Sequence, residues 1–163
     1  MIRPLPPTSA IRSVRYLPHD RPHSQYRCVS DTRSRMMSGI RGKNTKPELI
    51  VRRYLHAQGF RFRLHTKSLP GTPDITLPRW RTVVFVHGCF WHLHGCRYFK
   101  LPQTRVNFWR EKLSANKARD EKNHLLLENM GWRVLVVYEC ELRDTPETAL
   151  AQLASSIRTS YGN

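Results

Sequence analysis

At 163 residues the chain suits one domain, long enough for a proper core and short for two. Lys and Arg number 28 against 12 Asp and Glu, a formal net charge of +16 with a pI near 10.6, more than solubility asks for, so a polyanionic partner is the simplest reading. A membrane surface is the weaker polyanion, because no apolar run approaches the ~18 residues of a spanning helix and no basic segment carries a clean amphipathic stripe; nucleic acid leads.

In chain order, five of the 11 prolines fall within residues 1 to 23, beside arginines and few aliphatics. That composition does not offset the entropy of ordering a backbone, and it predicts a disordered basic tail over residues 1–30; a leader added by an upstream start codon is the alternative. The start "MIRPLPPTSAIRSVRYLPHD" lacks the apolar core of a secretory signal. The expected setting is therefore a reducing cytoplasm, where the four cysteines, Cys28, Cys89, Cys96 and Cys140, read as metal ligands or free thiols rather than a disulfide frame. From "SDTRSRMMSGIRGKNT" the chain stays basic and gains Met36, Met37 and Ile40, so residues 31–44 are expected to be an arm that orders on its partner, with the domain proper at 45–163.

That domain opens on a predicted helix, "TKPELIVRRYLHAQG". Thr45 stands as N-cap, Pro47 sits in the first turn, Glu48 completes a capping box, Gly59 stops the helix, and Leu49, Ile50, Tyr54 and Ala57 share its apolar face. "FRFRL" alternates as a half-buried strand; "DITL" and "TVVFVH" follow as strands around a turn at Pro78; "WRVLVVYE" reads as a nearly continuous apolar strand, and central burial is expected for the last two. Residues 104–129 between them read as helix, and "TPETALAQLASSIRTSY" closes the chain as an amphipathic helix capped by Thr145. The order predicts an α/β architecture with helices flanking a mixed sheet.

The chemistry gathers in "FVHGCFWHLHGC", residues 85–96. Cys89, His94 and Cys96 follow a strand, and a neighbouring strand ending at Cys140 would complete a Cys3His tetrahedron for structural zinc; two merely buried cysteines are the alternative. His87 and His92 are then surplus. Imidazoles beside a carboxylate suit metal-dependent phosphodiester hydrolysis, and Asp74 in "LPGTPDITL" offers the carboxylate, with the Val86 backbone carbonyl on the adjacent strand; a turn-capping aspartate is the alternative.

"LPGTPDITL", "VHGCFWHLHGC", "FKLPQTRVNFWREK", Arg119–Asp120 and "GWRVLVVYECEL", in that order, resemble the very short patch repair (Vsr) endonucleases, bacterial enzymes that nick DNA next to T:G mismatches. The resemblance runs from about Asp31 to Leu142. It implies a restriction-endonuclease-like fold of the PD-(D/E)XK type with a structural Zn²⁺ and a catalytic Mg²⁺. By matching position, it implies that Asp74 binds Mg²⁺, that His87 and His92 are catalytic, that Asp120 supports the histidine that shuttles a proton, and that Glu48 lies near the metal. It makes Cys89, His94, Cys96 and Cys140 the zinc ligands. Val86 departs from the threonine of some members, but a ligand supplied by the backbone carbonyl survives that change. Phe90, Trp91 and Trp109 would form an aromatic wedge in the major groove with Lys112 as a DNA contact, and Met37 and Ile40 would probe the minor groove; ordinary packing is the alternative for Phe90 and Trp109.

The expected function is a Mg²⁺-dependent endonuclease that nicks 5′ of the mispaired thymine in T:G mismatches left by deamination of 5-methylcytosine. A restriction-like or weakly specific nickase is the second reading, and a non-enzymatic zinc module that binds nucleic acid the third. The expected partner is double-stranded DNA, met by a monomer on the bacterial nucleoid with a functional link to a cytosine-5 methyltransferase; mismatch-repair proteins are candidate partners.

Overall fold

A computed structural model of the chain describes residues 42–159, so Cys28, Met37 and Ile40 lie outside the described residues. The elements are α1 (Lys46–Ala57), β1 (Arg63–Leu64), β2 (Ile75–Leu77), a 3-10 turn (Pro78–Trp80), β3 (Thr82–His87), α2 (Val106–Asn129), β4 (Arg133–Tyr138), α3 (Glu139–Asp144) and α4 (Pro146–Arg158). The sheet order is β1-β2-β3-β4, antiparallel in the first two pairings and parallel between β3 and β4. The mixed α/β architecture is therefore as expected.

The period of two along β3 and β4 divides the core between the two sheet faces. Val84 and Val137 pack with Val51 and Leu55 of α1 and with Leu142, Leu150, Leu153 and Ile157, while Val83 and Phe85 pack on the opposite face with Leu69 and Leu127. β3 thus points Val83, Phe85 and, by the same alternation, His87 toward α2. No helix among the described residues is long and apolar enough to cross a membrane.

The capping box at Thr45 and Glu48 is present, but the buried face of α1 differs from the expected one. Leu49 and Ile50 are exposed; Val51 and Leu55 are fully buried, beside Glu48 at 3% and Arg52 at 8% exposure. Periodicity misled because the inward face carries an ion pair, Arg52 to Glu48 at 2.5 Å, flanked by only two aliphatics. Each of those aliphatics contributes roughly 1.5–3 kcal/mol by burial.

Three further differences follow from position in the sheet. β1 keeps only two residues, because Phe60 turns into the core against Trp80 before the ladder begins. Among the described residues β4 is an edge strand, and it is mostly half-buried; its apolar run reflects two covered faces, not a central place. Cys140 lies in the first turn of α3 rather than at the end of β4, and Thr145 begins α4 without a side-chain cap bond.

Candidate functional site

Asp74 immediately precedes β2, whose last ladder pair with β3 is Ile75 with Val84. Its Oδ2 accepts the Val86 N–H at 2.8 Å, so a side chain continues the ladder where the backbone leaves it. The tight turn before it requires Gly71, whose φ is +71° and whose missing Cβ would meet Asn123 of α2 at 3.1 Å. Burial raises the Asp74 carboxyl above the usual carboxylate range, the Val86 bond pulls it down, and the nearby Glu48 adds to the rise.

Glu48 takes the Asn44 N–H at 3.0 Å and the Thr45 hydroxyl at 2.9 Å, so its capping role is real. It also converges with Asp74 and with a histidine that the sequence reading passed over, His65; one ligand atom from each lies within 4.8 Å of the others. Two carboxylates and an imidazole, part-buried, form a donor set that fits a divalent cation.

One strand-end further on, His87 and His92 stack with ring centroids 3.6 Å apart and planes 6° from parallel. His92 Nδ1 lies 2.6 Å from Asp120 Oδ2, contributed by α2. His87 is 5% exposed, and burial, then His92 and His124, push its pKa down to about 3, so it stays neutral at ordinary pH. His124, also from α2, was not singled out from the sequence; its Nε2 is buried and has no hydrogen-bond partner among the described residues.

The loop after β3 then reverses direction. The His94 N–H bonds the Cys89 carbonyl at 3.0 Å and the Cys96 N–H bonds the His94 carbonyl at 2.8 Å, which folds Cys89, His94 and Cys96 onto one side. The parallel register of His87 with Tyr138 brings Cys140 to the same end of the sheet, where its Sγ lies 3.4 Å from His94 Nδ1. All four ligand atoms fall within 4.8 Å of one another, and the thiols form no disulfide. Burial pushes Cys89 up to about 12, aided by the neighbouring thiols. Three soft donors and an imidazole, closed on themselves, fit tetrahedral zinc. Beyond Cys96, Arg97 pairs with Asp144 of α3, and the Tyr98 hydroxyl donates to the same carboxylate at 2.6 Å.

Phe90, Trp91 and Trp109 contact one another edge to face, 5.1 Å for Phe90 with Trp91 and 5.4 Å for Phe90 with Trp109. Phe90 and Trp91 are half-buried and Trp109 is buried. Lys112 holds its ammonium 5.6 Å above both Trp91 and Trp109. Phe108, exposed and covered by Arg105 at 4.6 Å, joins this surface and was missed, since an aromatic beside Trp109 on a helix carries no distinguishing spacing.

Residues 27–98 match the family model of the DNA mismatch endonuclease Vsr. The chain is 53% identical over 118 residues to the type II nicking enzyme V.XorIIP of Xanthomonas oryzae, covering 72% of this chain and 87% of the relative. It is 48% identical over 116 residues to the type II nicking enzyme V.NmeAIP of Neisseria meningitidis, covering 71% and 83%. It is 46% identical over 112 residues to the DNA mismatch endonuclease Vsr of Escherichia coli, covering 69% and 72%.

Proposed function

The chain belongs to the Vsr family of DNA mismatch endonucleases, and from that premise we propose that it nicks duplex DNA 5′ of the thymine in a T:G mismatch. The observation that carries the reading is the His92–Asp120 pair, 2.6 Å long and stacked on a neutral His87, one strand-end away from the Asp74 carboxylate. Hydrolysis joins a water oxygen to phosphorus and breaks the bond to one sugar oxygen, so a proton leaves the water and another reaches the departing oxygen. Asp120 fixes the His92 ring through Nδ1 and leaves Nε2 to move that proton. His87, neutral, donates a hydrogen bond to the phosphate as charge builds on it.

Mg²⁺, held by Asp74 and the Val86 backbone carbonyl with Glu48 alongside, would supply charge neutralisation at the phosphate. The Val86 N–H sets the orientation of the Asp74 carboxylate for that task. Cys89, His94, Cys96 and Cys140 would hold structural zinc, and the mixed sheet with Asp74 at a strand start agrees with a restriction-endonuclease-like fold of the PD-(D/E)XK type. Phe90, Trp91 and Trp109, with Lys112 against the phosphates, offer aromatic faces to replace stacking lost when the duplex is wedged open. Met37 and Ile40, on the arm at 31–44, would read the minor groove.

A second reading, a nickase without a mismatch requirement, is favoured by the similarity to V.XorIIP and V.NmeAIP, which are type II nicking enzymes. Nicking of matched duplexes that differ only in T:G against C:G or T:A separates the two. Preference for T:G supports the mismatch reading, and equal rates overturn it. Retained binding with no Mg²⁺-dependent nicking of any duplex would instead leave a zinc-containing binding module. The reading carries with it a monomer acting on the nucleoid in a bacterial cytoplasm, a link to a cytosine-5 methyltransferase, and mismatch-repair proteins as candidate partners.

A further inference from the structure

His65 stands where a hairpin and a helix deliver three different ligating groups. It follows β1, whose Leu64 pairs with Ile75, and its N–H approaches the Asp74 carbonyl at 3.4 Å, so the two residues face each other across the ladder. Helix α1 brings Glu48 from the other side. His65 Nε2 lies 3.7 Å from Glu48 Oε2 and Nδ1 lies 3.8 Å from Asp74 Oδ1, with the side chain only 16% exposed. Its φ is +47°, a left-handed backbone that a non-glycine residue adopts at a cost, and such costs concentrate where geometry serves a site.

The tautomer follows from its neighbour. Arg52 NH2 sits 2.9 Å from His65 Nε2, and a guanidinium only donates, so Nε2 presents a lone pair and Nδ1 carries the proton. Arg52 NH2 also bonds Glu48, while its NH1 bonds Asn44 at 2.6 Å, so Arg52 keeps the Asn44 contact when NH2 yields His65 and Glu48 to another cation. Metal–oxygen and metal–nitrogen bonds of about 2.1 Å place adjacent octahedral ligands about 3.0 Å apart and opposite ones about 4.2 Å apart. The 3.7 Å from His65 Nε2 to Glu48 Oε2 lies between those values, and one ligand atom from each of His65, Glu48 and Asp74 lies within 4.8 Å of the others.

We propose that His65 is a nitrogen ligand of the divalent cation held by Glu48 and Asp74, and that it tilts this site toward Mn²⁺ over Mg²⁺. The inference rests on the endonuclease reading and extends it from a Mg²⁺ site of oxygen donors to a mixed one. Mg²⁺ favours oxygen and parts reluctantly with its water, whereas first-row transition ions gain from an imidazole. His65 thereby sets which ion the site retains, while the histidine pair at His87 and His92 is left to the phosphate.

The test uses the full-length protein with its zinc in place. Mn²⁺ is titrated into the parent and His65→Gln, free Mn²⁺ is read by electron paramagnetic resonance, and nitrogen coupling to bound Mn²⁺ is read by electron spin echo envelope modulation. The parent should show ¹⁴N coupling that His65→Gln lacks. Mn²⁺ affinity should fall in His65→Gln by at least the roughly 10-fold that even losing an outer partner costs, with a smaller loss of Mg²⁺ affinity by competition. Absence of ¹⁴N coupling in the parent overturns the inference whatever the fate of the variant, as does coupling that persists in His65→Gln or equal Mn²⁺ affinity in the two. Full nicking with no nitrogen on the bound ion sinks this inference alone. Nitrogen coupling without nicking under either ion sinks the endonuclease reading and leaves the cation site standing.

Discussion

His92 and His94 are two residues apart on one loop and chemically identical, yet they face different worlds. His92 lies flat on His87 and gives its Nδ1 to Asp120 of α2; His94 lies flat on Tyr138 at 3.8 Å and gives its Nδ1 to Cys140 of α3. The difference shows that a histidine's task is set by what the fold brings to its second nitrogen, and that one turn of loop between two parallel strands is enough to send alternate residues to separate sites.

The largest way to break that contrast is to open the cysteine side. His94→Ala or Cys140→Ala should abolish the expected zinc, about one per chain in the parent. Either should lower the melting temperature by more than ~10 °C, since each kcal/mol lost moves it by roughly 2–8 °C. A variant that melts like the parent with its metal retained would refute the ligand assignment. His92→Ala is the converse: zinc content and melting unchanged, with single-turnover nicking of a T:G duplex down by roughly 10²–10⁴-fold, as for a lost general acid–base group. Zinc loss in His92→Ala with retention in His94→Ala would exchange the two roles.

Asp120→Asn refines the same comparison. It should slow nicking by less than His92→Ala does, because the ring remains while its orientation loosens; a loss as great as that of His92→Ala would mean that Asp120 itself meets the substrate. The smallest effect is expected at Asp144, whose carboxyl is held below the usual range first by the Tyr98 hydroxyl and then by Arg97. A depressed carboxyl contributes its stability above its unfolded value of 3.8 and loses it as pH falls through the folded one. The parent should therefore melt slightly above Asp144→Asn at neutral pH and match it in acid. A gap that widens as pH falls would show that the carboxylate does not hold this contact.

The parts of this geometry legible in sequence are those carried by a single local pattern. "TVVFVH" became β3 without a residue's change, the reading of helix over residues 104–129 stands as Val106–Asn129, and the expectation that adjacent strands bring Asp74 to Val86 holds through a hydrogen bond. What stayed hidden depends on partners far apart in the chain. His65 is one histidine in "RLHTK", and only the pairing of β1 with β2 and the approach of Glu48 turn it into a third donor. The buried side of α1 was unreadable for the same reason: Arg52 looks like a solvated charge until Glu48, Asn44 and His65 are around it.

The contact of Arg97 and Tyr98 with Asp144 spans 47 residues of chain between Arg97 and Asp144, and all of α2 and β4 lie between its ends. It ties the base of a long closed loop, in parallel with the cluster that Cys96 and Cys140 form with Cys89 and His94 just inside it. A loop fastened at both ends has few partly open states available, since freeing α2 without β4 relieves little of the chain's confinement. In hydrogen exchange, the amides of α2 and β4 should therefore open together as one unit. With the base untied by Asp144→Asn and the protein treated with a chelator, that unit should separate into two.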